Sequence, residues 1–258
     1  MNSSRREQIR ELLCNRPFIS FDELHEMFPG VSNMTLRRDI EYFEEQSEAI
    51  KVRGGARSMK FITTCMEGKF SLRMNENTPA KQKIASVALS LIETERSVFL
   101  DSGTTIFQLA ATMPDERLVV TTTGPNIALE LIKKKLPLVN LVGGMLNRDS
   151  ISVSGNNATK FLADINIDVA FIVPSGASAE TGFTCGNYAE CEFKRQVIEK
   201  ARRTVILADH SKFGRTLPYT FAEFGMVDTI ITDRAVSGDI ADAAKRAGTQ
   251  IIAADIGE

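Results

Sequence analysis

Histidine and cysteine are scarce in this 258-residue chain: two histidines, His25 and His210, and four cysteines, Cys14, Cys65, Cys185 and Cys191. The cysteines form no CxxC pair and the histidines complete no ligand set, so no metal site is expected. In a reducing compartment such thiols read as buried or incidental. No apolar run reaches about 18 residues, and no cationic leader precedes an apolar core. Both absences predict a cytoplasmic chain without membrane contact. GxxxxGK[ST] and GxGxxG are missing as well, which leaves a nucleotide cofactor unsupported. Internal repeats and low-complexity stretches are absent. Charge of one sign is also lacking: 31 Lys and Arg stand against 33 Asp and Glu. Within residues 1–60, ten basic residues balance ten acidic ones, so there is no basic tail. What remains is length and apolar content, 43% hydrophobic, enough for two domains with real cores.

The most informative stretch is Val31–Ile40. Ser32 can accept a bond from an amide two or three residues on and so start a helix. Leu36, Ile40 and Phe43 recur at i, i+4 and i+7 and form one buried stripe. Met34, Arg38 and Glu41 point the opposite way, with Thr35 and Arg37 on the flanks. Any capped amphipathic helix shows such a stripe, so the flanks decide its meaning. Upstream, Ser4-x-x-Glu7 has capping-box spacing, followed by the stripe Ile9, Leu12, Leu13 and a stop at Asn15-Arg16-Pro17. Ser20-x-x-Glu23 repeats the box before Leu24, Met27 and Phe28, and Pro29-Gly30 marks a turn. Three helices with a tight turn before the third make a helix-turn-helix, whose third helix enters the major groove. Downstream, Ile50–Arg53 alternates apolar and basic residues before Gly54-Gly55, as half of a β-hairpin wing would. Lys51, Arg53, Arg57 and Lys60 bring charge there without any acid. Placed cations of this kind predict few phosphate contacts and a modest salt slope.

The pattern Arg6-x2-Ile9-x3-Leu13, Val31-x3-Thr35-Leu36-Arg37-Arg38-Asp39-Ile40 and Arg53-Gly54-Gly55-Ala56 resembles the DeoR-type bacterial transcriptional regulators. The expected contacts to operator DNA are Ser32, Met34, Thr35, Arg37, Arg38, Lys51 and Arg53. Arg38 and Thr35 are expected at base edges, and Arg37, Lys51 and Arg53 at phosphates, with Asp39 orienting the arginines. The expected division is a winged helix-turn-helix over 1–57, a linker over 58–79, broken at Asn75–Pro79, and an α/β domain over 80–258.

From residue 80 helical and strand patterns alternate. A helix carries Ile84, Val87, Ala88 and Leu91. Further helices are expected over 106–113, 126–134, 157–164, 189–203 and 238–247. Short apolar strands are expected over 97–100, 118–121, 138–142, 169–173, 204–208, 229–232 and 250–253. Alternation of this kind predicts a mainly parallel, doubly wound sheet covered on both faces. Ligands of such sheets sit beyond the carboxyl ends of the strands, where four polar or glycine-bearing segments fall: Asp101–Thr105, Thr121–Thr123, Gly143-Gly144 and Asp209–Lys212. Ser102-Gly103-Thr104-Thr105 opens a helix and so offers amides, hydroxyls and a close approach to a phosphate. Lys212 could complete an anion site, and Asp101 could accept ligand hydroxyls or brace the loop. Glu190 and Lys194 form an i, i+4 pair, either solvated or with Glu190 or Glu192 at the rim, holding sugar hydroxyls or buried against Lys194.

These segments also resemble the DeoR effector-binding domain, similar in fold to ribose-5-phosphate isomerase. The resemblance implies a phosphorylated sugar as effector and repression relieved by it. It assigns the phosphate to Ser102, Gly103, Thr104, Thr105 and Lys212, and sugar contacts to Asp101, Glu190 and Asp209. Thr122, Asn126 and Gly143 join the expected effector site from neighbouring loops. The chain departs from the family pattern at 122–126 and 172–176, both near that site. The function expected is a DNA-binding repressor of a carbohydrate operon, not an enzyme, acting as a homo-oligomer (dimer or tetramer) because one half-site would be held weakly. The alternatives are a sugar-phosphate isomerase or deaminase with an accessory helical domain, and a phosphosugar-binding module without DNA binding.

Overall fold

The computed structural model describes residues 2–16, 18–46, 48–59, 69–236 and 238–254. Pro17, Lys60 and Cys65, and with them most of the expected linker's first half, lie outside these. The described residues divide into two compact units, 2–59 with 214–216 and 69–213 with 217–254.

The first unit runs α1 (Asn2–Asn15), β1 (Phe18–Ser20), α2 (Phe21–Met27), α3 (Asn33–Glu45), β2 (Ala49–Val52) and β3 (Gly55–Ser58). Ser20 caps α2 by accepting from the Glu23 amide, and Ser32 caps α3. Ser4, expected as a cap, lies inside α1, because the helix begins two residues earlier. Ile9, Leu13, Leu24, Leu36, Ile40 and Phe43 form the core with Ile19, Ala49 and Ala56, whereas Met27 is exposed. Full burial of each large side chain contributes about 1.5–3 kcal/mol. The wing is a hairpin turning at Arg53-Gly54, with Val52 opposite Gly55 and Gly54 at φ 90°. β1, too short for the sequence to reveal, adds a third strand in the order β1-β3-β2. It passes so close that a Cβ on Gly55 would lie 2.1 Å from the Ile19 carbonyl oxygen.

The second unit opens with α4 (Phe70–Asn75), inside the expected linker, and α5 (Thr78–Leu89). Phe70 is buried, and its amide donates to the Asp149 carbonyl at 2.7 Å. Then follow β4 (Ser97–Leu100), α6 (Thr104–Thr112), β5 (Val119–Thr122), α7 (Pro125–Leu131), β6 (Leu138–Leu141), β7 (Met145–Asn147), β8 (Ser152–Ser154), α8 (Asn156–Leu162) and β9 (Ile167–Ile172). The remainder is β10 (Gly176–Ser178), β11 (Gly182–Cys185), α9 (Tyr188–Lys200), β12 (Ala201–Leu207), β13 (Tyr219–Ala222), β14 (Thr229–Thr232), α10 (Asp239–Ala247) and β15 (Gln250–Ala253). The helix expected over 189–203 stops at Lys200, because Ala201–Arg203 pair with β9.

A seven-stranded sheet has the order β15-β14-β12-β9-β4-β5-β6, parallel throughout. Side chains alternate between its faces. Val98, Leu100, Val120 and Phe171 pack on one face with Ile84, Ile106, Leu109 and Ile127 of α5, α6 and α7. Phe99, Ala170 and Ile206 pack on the other with Leu162, Phe193, Val197 and Ala243 of α8, α9 and α10. The sheet is therefore doubly wound. Chain order runs outward from β4 in one direction and, after β9, in the other, so the crevice between β4 and β9 is the switch point where such folds take ligands. β7 and β8 make a separate hairpin, and β10, β11 and β13 a small antiparallel sheet. Among the described residues no helix is long and apolar enough to cross a membrane. Cys185 and Cys191 are buried and unbridged, and Cys14 is exposed.

Candidate functional site

In the first unit the Ser32 hydroxyl accepts from the Thr35 amide at 3.3 Å and shares a 3.0 Å hydrogen bond with the Thr35 hydroxyl. Leu36 and Ile40 anchor the inner side of α3, so Met34 and Arg38 face solvent. The Arg37 guanidinium lies 5.4 Å from the Phe21 ring centroid. Arg38 forms no ion pair among the described residues, and Arg53 stands exposed at the wing tip. Lys51 differs: its ammonium contacts Glu41 at 2.6 Å, which holds the Glu41 carboxyl below its usual range. Asp39 was expected to orient Arg37 and Arg38. It is buried and instead accepts from Arg5 at 2.6 Å and Arg6 at 2.9 Å, so it ties α1 to α3.

In the second unit the carboxyl ends of β4 and β9 are joined by one carboxylate. Asp101 Oδ1 accepts from the Ser102 amide at 2.8 Å. Its Oδ2 accepts from the Val173 amide at 3.0 Å and from Lys194 Nζ at 2.6 Å. Lys194 also donates to the Val173 carbonyl at 2.6 Å. Burial opposes the Lys194 charge, but Asp101 and Glu190 outweigh it and raise its pKa above the ordinary lysine value. Asp101 is thus fully engaged in bracing the switch point. Beside it Gly103 starts α6 at φ 132°, with no side chain capping the helix, and Ser102, Thr104 and Thr105 are buried. An added Cβ on Gly103 would lie 2.8 Å from Val173 Cγ2.

The other expected rim residues divide. Thr122 Oγ1 accepts from the Gly124 amide at 3.0 Å, while Gly143 is exposed with open space around it. Asn126 has both amide atoms buried without a hydrogen-bond partner among the described residues. Glu190 accepts from the Ser150 hydroxyl at 2.7 Å and from Ser152, holding the β7–β8 hairpin. Asp209 Oδ1 accepts from the Ser211 amide at 2.9 Å and from Asn77 Nδ2 at 3.2 Å, while its buried Oδ2 has no hydrogen-bond partner among the described residues. Burial pushes the Asp209 carboxyl up, but Lys212, Ser211 and Lys81 pull harder and leave it below its usual range.

Residues 5–61 match the family described as DeoR-like helix-turn-helix domain, and residues 76–234 match the DeoR C terminal sensor domain. The HTH-type transcriptional repressor GlcR of Bacillus subtilis (strain 168) is 33% identical over 225 residues, 86% of this chain and 85% of that protein. The chain belongs to the DeoR family.

Membership makes it a transcriptional regulator that joins a helix-turn-helix domain to a small-molecule sensor domain. The glycerol-3-phosphate regulon repressor of Escherichia coli (strain K12) is a second relative of this DeoR-family chain, 29% identical over 232 residues and 90% of each. The structure of ribose 5-phosphate isomerase A from Methanocaldococcus jannaschii is similar to part of this one, 18% identical with a TM-score of 0.40, covering 54% of this chain and 55% of that one. Two residues near the DeoR rim escaped the sequence reading. Lys81 lies three positions before Ile84 on the apolar face of α5, is buried, and donates to the Arg73 and Glu76 carbonyls. Burial lowers its pKa, and Asp209 only partly offsets this. A lysine in phase with an apolar stripe was the available signal. Asn77 carried none, because its partner is 132 positions away.

Proposed function

We propose that this DeoR-family regulator is a repressor of a carbohydrate operon, released or tuned by a phosphorylated sugar bound at the carboxyl rim of the seven-stranded sheet. The observation that carries the reading is the uncapped start of α6 at Gly103, beside the switch point. Its free amides and the positive end of the helix suit a phosphate, with Ser102, Thr104, Thr105 and Lys212 adding donors. Asp209 Oδ2 and the Asn126 amide, buried without hydrogen-bond partners among the described residues, suit sugar hydroxyls, with Thr122 and Gly143 on adjoining loops. Asp101 and Glu190 shape the rim rather than touch the sugar, because their oxygens already serve Lys194, Ser150 and Ser152. A relative named for a glycerol-3-phosphate regulon favours a phosphorylated effector.

Residues 1–57 read DNA, and the second unit, from α4 onward, senses. Arg38, Thr35, Met34 and Ser32 meet base edges, and Arg37, Arg53 and Lys51 meet phosphates, Lys51 after leaving Glu41. So few cations hold one half-site weakly, so two or four copies act together on repeated half-sites. As a DNA-bound regulator the chain works in the cytoplasm, needs no cofactor and is not an enzyme. Of the carboxylates a sugar isomerase could use as a base, Asp101 is paired with Lys194 and Glu190 accepts from Ser150 and Ser152. The decisive experiment is a mobility shift on the DNA upstream of its own coding sequence, repeated with aldose, ketose and glycerol phosphates. Retardation altered by one of them supports the reading. Turnover of a phosphosugar, or no shift of any DNA, overturns it.

A further inference from the structure

Asn77 occupies the corner between α4 and α5 as the N-cap of α5, yet its side chain makes no capping bond. Asparagine in this position ordinarily accepts from the first-turn amides of its own helix. Its Nδ2 donates to Asp209 Oδ1 instead, and its backbone is left-handed at φ 49°, ψ 34°, a conformation that asparagine, after glycine, adopts most readily. The side chain thus gives up the cap of its own helix for the contact with Asp209.

Each end of that contact leads somewhere. Asp209 is buried, and among the described residues its second oxygen has no hydrogen-bond donor, which leaves it open to a ligand hydroxyl. On the other side, Lys81 donates to the Arg73 and Glu76 carbonyls, so the end of α4 and the Asn77 corner are held as one piece. In chain order α4 is the first described element of the sensor unit. A donor arriving at Oδ2 draws charge from Oδ1 and turns the carboxylate, so the Asn77 bond differs between an empty and an occupied rim. A contact that differs between the two states is what an effector needs in order to shift an equilibrium.

We infer that Asn77 is the positioning residue that couples occupancy of Asp209 to α4, and through it to the affinity for DNA. This rests on the effector reading above. The test uses the full chain, the DNA upstream of its own coding sequence, and glycerol 3-phosphate, ribose 5-phosphate and fructose 6-phosphate as probes. Asn77→Gly keeps the left-handed backbone and removes the amide, and Asn77→Asp sets a like charge against Asp209. In Asn77→Gly the sugar phosphate should bind the DNA-free protein within about threefold of wild type, while its effect on the DNA Kd falls below about twofold. Asn77→Asp should move the DNA Kd by about fivefold or more without any ligand. Wild-type DNA affinity and wild-type ligand response in both variants overturn the inference. If no probe binds the wild type, the effector reading fails alone. The ligand-free Asn77→Asp measurement then still decides: a shifted Kd supports the coupling and an unchanged one overturns it.

Discussion

Replacing Lys194 with methionine keeps an unbranched apolar side chain, one atom shorter, and removes its charge and donors. The pair it breaks is 2.6 Å long, with Lys194 at 7% and Asp101 at 4% side-chain exposure, so solvent cannot replace the lost partner. Removing one member of a buried pair costs about 3–5 kcal/mol, because the other charge stays behind unpaired. Asp101 keeps the Ser102 and Val173 amides, which places the expectation at the lower end, about 3 kcal/mol. One residue on, Arg195 pairs with Glu192 at 43% and 40% exposure, and Arg195→Met should cost less than about 1 kcal/mol. The double variant Asp101→Asn/Lys194→Met leaves no unpaired charge. It should therefore lose less than the two single losses together, by about 1–3 kcal/mol. Urea unfolding followed by far-UV circular dichroism reads these differences as midpoint shifts at constant m. The pH dependence supplies a second check. The raised Lys194 pKa stabilises the fold fully below the unfolded value of 10.5 and is lost only as pH climbs through the higher folded value, so this contribution stays flat from roughly pH 6 to 9. A Lys194→Met variant as stable as Arg195→Met would refute the argument that Asp101 braces the switch point as a buried, paired charge.

Arg38→Ala should weaken operator binding by about 1–3 kcal/mol and relax sequence preference, whereas Arg53→Ala should weaken all sequences alike and lower the salt slope by about one; anisotropy titrations across a salt series distinguish them. Ser20→Ala should cost about 1 kcal/mol of stability through the lost cap of α2, while Ser4→Ala, inside α1, should be near neutral in the same melt. Gly103→Ala combines a φ of 132° with a Cβ 2.8 Å from Val173 and should abolish sugar-phosphate binding by calorimetry while DNA binding without ligand survives.

Local chemistry made much of this protein legible. Caps at Ser20 and Ser32 and the stripe Leu36, Ile40, Phe43 are interactions between residues three or four apart, so they are written in order along the chain. The strands Ser97–Leu100 and Thr229–Thr232 were legible because a parallel strand buried on both faces reads as an apolar run. Strands of three residues such as β1, β7 and β10 carry too few positions for any period, and only their partners hold them extended. Capping-box spacing at Ser4 misled because spacing alone does not say where a helix begins.

The sequence by itself determined a capped recognition helix, a wing, and a parallel α/β sheet with polar loops at one rim. Tertiary structure decided what those polar residues do. Asp101 meets Lys194 across 93 positions and Asn77 meets Asp209 across 132, while Asp39 turns from its neighbours Arg37 and Arg38 to Arg5 and Arg6. The reason is physical: periodicity and capping act within a turn or two, whereas the partner of a buried charge depends on which strands lie side by side.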